Sequence, residues 1–167
     1  MLPERVHVFI FIEDGKLLIC QSNSNLTFLI KENNTWIIYQ QIHQSFITTM
    51  WSKINKMIIT TNLKNQIQTW QRNQKGLFQL ISTAWDPESN SKNCEVNPVY
   101  INDDGLFLGQ CQDNKLKVWS YLEDGSIQLA FEQEIDEQNV VITNDFTNLL
   151  AQNEKSLIWY QLIYHQP

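Results

Sequence analysis

Apolar residues run along this chain in short segments of alternating polarity, each closed by residues that favour turns. Alternation with period two places successive side chains on opposite faces of a strand. The clearest stretch opens with Pro98-Val99-Tyr100-Ile101, a first strand. The turn residues Asn102-Asp103-Asp104-Gly105 follow, then a second strand over 106–111 and the turn Gln112-Asp113-Asn114. A third strand over 115–119 sets Lys115 and Lys117 against Leu116 and Val118, a half-buried pattern, and ends at Trp119. Ser120 to Gly125 reads as another turn and 126–131 as an outer strand. The same four-strand reading fits 6–12, 17–20, 26–30 and 36–42, with Glu13-Asp14-Gly15 as the first turn. It fits again over 46–51, 57–61, 66–70 and 77–82, and over 140–143, 149–152, 156–159 and 162–164. No window of eleven or more residues carries a helical period. The pattern predicts an all-β chain.

The segments also repeat. Leu26-Thr27-Phe28-Leu29-Ile30, Gln66-Ile67-Gln68-Thr69-Trp70, Lys115-Leu116-Lys117-Val118-Trp119 and Ser156-Leu157-Ile158-Trp159 end alike. Their terminal residues Ile30, Trp70, Trp119 and Trp159 are separated by 40, 49 and 40 residues. A period of about 40–45 residues is that of a four-stranded propeller blade. The expected organisation is one domain over 1–167, with repeats near 5–44, 45–84, 97–135 and 138–165 and an insertion loop at 84–97.

The stretch Pro98 to Trp119 resembles a WD repeat of the β-propeller family, with Asp113 at the family's structural aspartate and Trp119 at its strand-end tryptophan. The resemblance implies an all-β array of about four four-stranded antiparallel blades, a partial or open propeller, because WD propellers usually have more. It assigns Trp70, Trp119, Trp159 and Asp113 as structural anchors. The sequence departs from the family elsewhere. The Gly-His pair is missing, and Gln71, Ser120 and Tyr160, not aspartate, follow the tryptophans. Ser24, Lys64 and Asn153 stand where Asp113 does, so the blades are expected to rest on apolar packing.

Composition narrows the function. Apolar residues make up 43% of the 167, which suits a folded chain. A formal charge of −6 gives no basic footprint for nucleic acid. Asn and Gln number 17 each and are scattered, which reads as a compositional bias on exposed faces. Cys20, Cys94 and Cys111 have no paired spacing, so neither a disulfide framework nor a zinc site is expected. The apolar stretch 6–12 is too short to span a membrane, and no basic n-region or small-residue cleavage site marks a signal peptide. A soluble, cytoplasmic protein is expected.

No linear motif points to catalysis. His7, His43 and His165 lie in different repeats, and no metal pair, nucleophile elbow or phosphate loop occurs. No catalytic, cofactor or metal residue is assigned. Two connections are candidates for binding a protein, both expected on the face that carries the blade-to-blade loops. One is the insertion with Trp85; the other is the acidic run 132–137 with Glu132, Glu134, Asp136 and Glu137, suited to a basic segment. The first also reads as a tolerated surface insertion with Trp85 packed as part of the outer strand, the second as a solvated acidic loop. The expected function is a non-catalytic protein-interaction scaffold that presents a loop face to a partner or complex subunit and completes a larger propeller, by self-association or with another propeller half. The alternatives are a small-molecule-binding or hydrolytic propeller with a site in its channel, and a fragment of a larger WD-repeat protein.

Overall fold

The computed structural model describes residues 5–64, 66–84, 99–101, 107–111, 115–122, 124–134, 139–142, 148–152 and 156–161. No helix occurs among them. The strands form antiparallel meanders in chain order. The first sheet is β1 (Val6–Ile12), β2 (Leu17–Ser22), β3 (Asn25–Glu32) and β4 (Thr35–His43). The second is β5 (Phe46–Ser52), β6 (Met57–Asn62), β7 (Ile67–Arg72) and β8 (Phe78–Ala84). The third is β9 (Val99–Ile101), β10 (Phe107–Cys111), β11 (Lys115–Tyr121) and β12 (Ile127–Glu134). Among the described residues the fourth has three strands, β13 (Asn139–Ile142), β14 (Asn148–Gln152) and β15 (Leu157–Gln161). The expected fourth strand at 162–164 and the insertion beyond Ala84 lie outside the described residues. The chain divides into two compact units, Met1–Trp85 with the first two sheets and Asp86–Pro167 with the others.

The repeat is written into the irregularities of the ladders. In three sheets the pairing of third with fourth strand slips at one equivalent place: between Phe28 and Leu29, Thr69 and Trp70, and Val118 and Trp119. The first pairing of the first two sheets slips between Val6 and Val8 and between Phe46 and Thr48. A bulge kinks and twists its strand, so bulges in phase give each sheet the same curvature. They also correct the anchor of the first repeat. Leu29, paired with Leu18, is the counterpart of Trp70, paired with Ile58, and Ile30 lies one residue past it. The slip arises in the hairpin loops. Gln21 pairs with Leu26 but Thr61 pairs with Ile67, so the second loop is one residue longer.

Turn residues take the conformations their chemistry allows. Asn33 and Asn34, between β3 and β4, both have positive φ (46° and 63°), the geometry of a two-residue hairpin loop that follows strand twist. Asn62 Oδ1 accepts from the Lys64 and Gln66 amides, and Asn73 Oδ1 from the Lys75 and Leu77 amides, one such lock at each end of β7. In the turn before β12 the Asp124 carboxylate accepts from the Ser126 hydroxyl and amide, which holds its pKa below the ordinary value. Gly76 sits at φ +82°, and a Cβ there would lie 2.7 Å from the Tyr39 hydroxyl. Both facts favour glycine at this position.

In the first unit, one face of the first sheet packs on one face of the second. The shared core joins Ile12, Leu17, Ile19, Leu26 and Phe28 to Phe46, Ile58, Trp70 and Phe78. The Phe28 and Phe78 rings stack at 4.8 Å, and the Trp70 ring meets Phe46 edge-on at 6.1 Å. Each fully buried side chain of this size contributes about 1.5–3 kcal/mol. All of β2 and β6 is buried, as is Lys117–Ser120 of β11. The alternation that reads as half-burial therefore hides inner strands covered on both faces.

Amide side chains stitch the two sheets together. The Gln40 amide donates to the Phe78 carbonyl at 2.7 Å while its oxygen accepts from the Phe78 amide at 2.8 Å. The Gln21 amide donates to the carbonyls of Phe46 and Ile47, and Gln44 donates to Gln68. Gln21 and Gln68 are buried. Glutamine is thus not merely surface bias here: Gln21 and Gln40 satisfy backbone groups that blade packing removes from water, and Gln44 and Gln68 pair with each other.

Candidate functional site

Antiparallel meanders put the β1–β2, β3–β4, β5–β6 and β7–β8 turns at one edge of the first unit. The β2–β3 turn and the β4–β5 connection lie at the other. A cleft of about 730 Å³ opens at the first edge. Its walls are the β1–β2 turn (Glu13, Asp14, Gly15) and the end of β5 with the turn after it (Trp51, Lys53, Lys56). Gln71 and Arg72 close it from the end of β7. The two turns are equal in length but differ in path, with positive φ at Glu13, Asp14 and Gly15 in the first and at Lys56 in the second, and both bring charged side chains to the rim.

Arg72 ties the cleft together. Its guanidinium meets the Glu13 carboxylate at 2.7 Å and lies 5.2 Å over the Phe78 ring, linking the first sheet to the second. Both ion-pair side chains are about one-third exposed or more (35% and 40%), so the pair is worth roughly 0–1 kcal/mol in stability. Trp51 is half-buried, with its ring edge-on to Phe78 at 6.4 Å. The result is an aromatic wall that stays partly open beside exposed Lys53 and Lys56, on a chain of net charge −6. Such a surface suits a peptide segment that brings an apolar side chain next to a carboxylate. Spacing arguments missed it because Glu13, Lys53 and Arg72 are far apart in sequence and meet only through blade packing.

The expected acidic connection is partly strand. Glu132 and Glu134 belong to β12, opposite Lys117 and Lys115, because the outer strand runs three residues beyond its predicted end. Buried Lys117 reaches Glu132 at 3.2 Å, which removes one carboxylate from any free acidic surface. Glu134 is exposed; Asp136 and Glu137 lie outside the described residues, as do Trp85 and Asp113. Of the tryptophan anchors, Trp70 and Trp119 are buried, and the Trp70 indole donates to the buried Thr60 hydroxyl at 2.9 Å. Trp159 differs: it is 62% exposed and donates to Asn148. Among the described residues no three His, Cys, Asp or Glu side chains gather into a metal-binding group, and no helix is long and apolar enough to cross a membrane.

No protein-family model matches the chain, and no curated protein matches it. Solved structures do. The β-propeller domain of Cps50 (Swd1) from Myceliophthora thermophila superposes with a TM-score of 0.69 at 11% identity, covering 95% of this chain and 54% of that one. Sqt1 of Saccharomyces cerevisiae matches with a TM-score of 0.68 at 11% identity over 95% of this chain and 45% of its own. A candidate 6-phosphogluconolactonase of Bacteroides fragilis gives 0.65 at 13% identity over 87% and 47%. At such identities the likeness carries the fold: the chain is an array of β-propeller blades. It spans about half the length of the structures it matches.

Proposed function

We propose that this chain is a protein-interaction scaffold, and that the cleft between its first two blades receives an acidic segment of a partner protein. The observation that carries this reading is the composition of the cleft wall: half-buried Trp51 beside exposed Lys53 and Lys56, at an edge where Arg72 meets both Glu13 and the Phe78 ring. Binding sites are favoured where loops sit on a rigid scaffold, and aromatic residues flanked by cations are common anchors of peptide recognition. Likeness to two propellers of the WD-repeat kind, Sqt1 and Swd1, supports a scaffold role. The acidic end of β12, with Glu134 and the sequence neighbours Asp136 and Glu137, is a second candidate contact, suited to a basic segment.

The test is capture from native extract by the immobilised chain, wild type against Lys53→Glu/Lys56→Glu and against Glu134→Lys/Asp136→Lys. Stoichiometric recovery of one protein by the wild type and its loss from the first variant is the expected result. Loss from the second variant alone would move the contact to the acidic end. Likeness to the candidate lactonase favours a second reading, a propeller that takes a small sugar phosphate. A melting-temperature rise with sugar phosphates, and no protein recovered, would replace the scaffold reading with that one.

A further inference from the structure

Arg72 and Trp51 rest on one ring. The Arg72 guanidinium lies 5.2 Å over Phe78, and the Trp51 ring meets Phe78 edge-on at 6.4 Å. Phe78 is buried and stacks on Phe28 of the first sheet at 4.8 Å, so the packing of the two sheets sets its position. The cation and the aromatic wall are thus placed relative to each other by the same buried side chain. Both line the cleft, together with Glu13 of the β1–β2 turn.

Glu13 meets Arg72 on other terms. It reaches across from the first sheet and sets Oε1 2.7 Å from Nη1. Both side chains stay partly exposed, and an ion pair in that setting adds little to stability. A guanidinium carries five N–H donors in a planar fork, more than one carboxylate fills. Phe78 therefore orients Arg72, and Glu13 occupies part of its fork at small benefit to the fold. A carboxylate arriving from a ligand must displace Glu13 or stand beside its negative charge. Either way Glu13 opposes entry. The charged residues lining the cleft, Glu13, Asp14, Lys53, Lys56 and Arg72, leave one net positive charge, and without Glu13 they would leave two.

We infer that Arg72 is the carboxylate-binding residue of the cleft and that Glu13 is its built-in competitor, which sets specificity by making each acidic ligand take its place. The inference rests on the acidic segment proposed above as the occupant of the cleft. A carboxylate on Arg72 brings the neighbouring apolar side chain of the segment against Trp51, because both residues are tied to Phe78. A segment that offers both groups outcompetes Glu13, and a carboxylate alone does not.

The experiment is a fluorescence-anisotropy titration of the 167-residue chain against a labelled synthetic peptide, acetylated and amidated, with one leucine flanked by aspartates. Glu13→Gln is expected to bind it about two- to fivefold more tightly than wild type, the range for one exposed ion pair, at an unchanged melting temperature. The gain is expected to shrink between about 50 mM and about 500 mM salt, where exposed charges are screened. Arg72→Lys, which keeps the charge but loses the planar fork, is expected to bind more weakly than wild type. Asp14→Asn removes the same charge from the same turn without touching the Arg72 contact, and its gain is expected to be smaller than that of Glu13→Gln. Unchanged or weaker binding by Glu13→Gln overturns the inference. So does a gain from Asp14→Asn as large as that from Glu13→Gln, or wild-type affinity in Arg72→Lys. In those cases binding that Lys53→Glu/Lys56→Glu abolishes leaves the cleft reading standing. Failure of both wild type and Glu13→Gln to bind the peptide overturns the cleft reading and the inference together.

Discussion

The side-chain amide of Gln40 occupies both backbone hydrogen-bonding groups of Phe78, donating to its carbonyl and accepting from its amide. Gln40 belongs to the outer strand of the first blade and Phe78 opens that of the second, so one residue does for the pair of blades what a ladder does for a pair of strands. Replacing it by leucine keeps the volume but orphans two partly buried backbone groups. Gln40→Leu is expected to cost about 1–3 kcal/mol, read as a lower urea midpoint with unchanged slope. Gln41→Leu breaks only a contact with Thr27 within one sheet and is expected to cost less than half as much.

The tryptophans of the repeat are not equivalent. Trp70 is buried between the first two blades, bonded to Thr60 and packed on Phe46, so Trp70→Ala is expected to destabilise by about 3–5 kcal/mol. Trp159 is mostly exposed, and Trp159→Ala is expected to change stability by about 0.5 kcal/mol. Equilibrium denaturation separates the two. A large cost at Trp159 would show that its ring is packed in solution.

Gly76 and Tyr39 form a matched pair. Alanine at 76 meets both a left-handed backbone, costing about 1–2 kcal/mol, and the Tyr39 hydroxyl. Gly76→Ala is expected to cost less in a Tyr39→Phe background than alone. Gly15 has a similar φ of +79° but open space around it, so Gly15→Ala is expected to show the backbone cost only. Melting temperatures of the four variants check this.

Burial lifts the Cys20 thiol from 9.0 to about 11. The folded state therefore holds this proton more tightly than the unfolded chain. The associated stabilisation is complete below pH 9 and is lost as pH rises toward 11. Alkylation of Cys20 at pH 8 is expected to be slow in the native protein and to track unfolding, measured by mass spectrometry across a urea series. Rapid native labelling would contradict the packing of Cys20 with Leu18, Leu29, Val6 and Trp36.

Much of the architecture was legible from strand patterning because each blade buries its own alternation. Trp70, Trp119 and Trp159 stood out because the segments they close recur every 40 to 49 residues. What spacing could not give was anything decided across blades. The anchor Leu29 was displaced to Ile30 because one extra residue in the Asn62–Gln66 loop is invisible without the ladder. The burial of Lys117, and with it the neutralisation of Glu132, depends on a cross-strand partner 15 residues away. The cleft of Glu13, Trp51 and Arg72 draws one side from each of two sheets, and no local pattern announces it.

Stacking of the first blade on the second is tested most directly by a double-mutant cycle on the ring pair Phe28 and Phe78, with each replaced by leucine singly and together. The two rings belong to different sheets and stack at 4.8 Å, so a coupling energy of about 0.5–1.5 kcal/mol is predicted. Additive losses, with no coupling beyond error, would mean that the two rings do not meet and that the first two sheets are not packed blades.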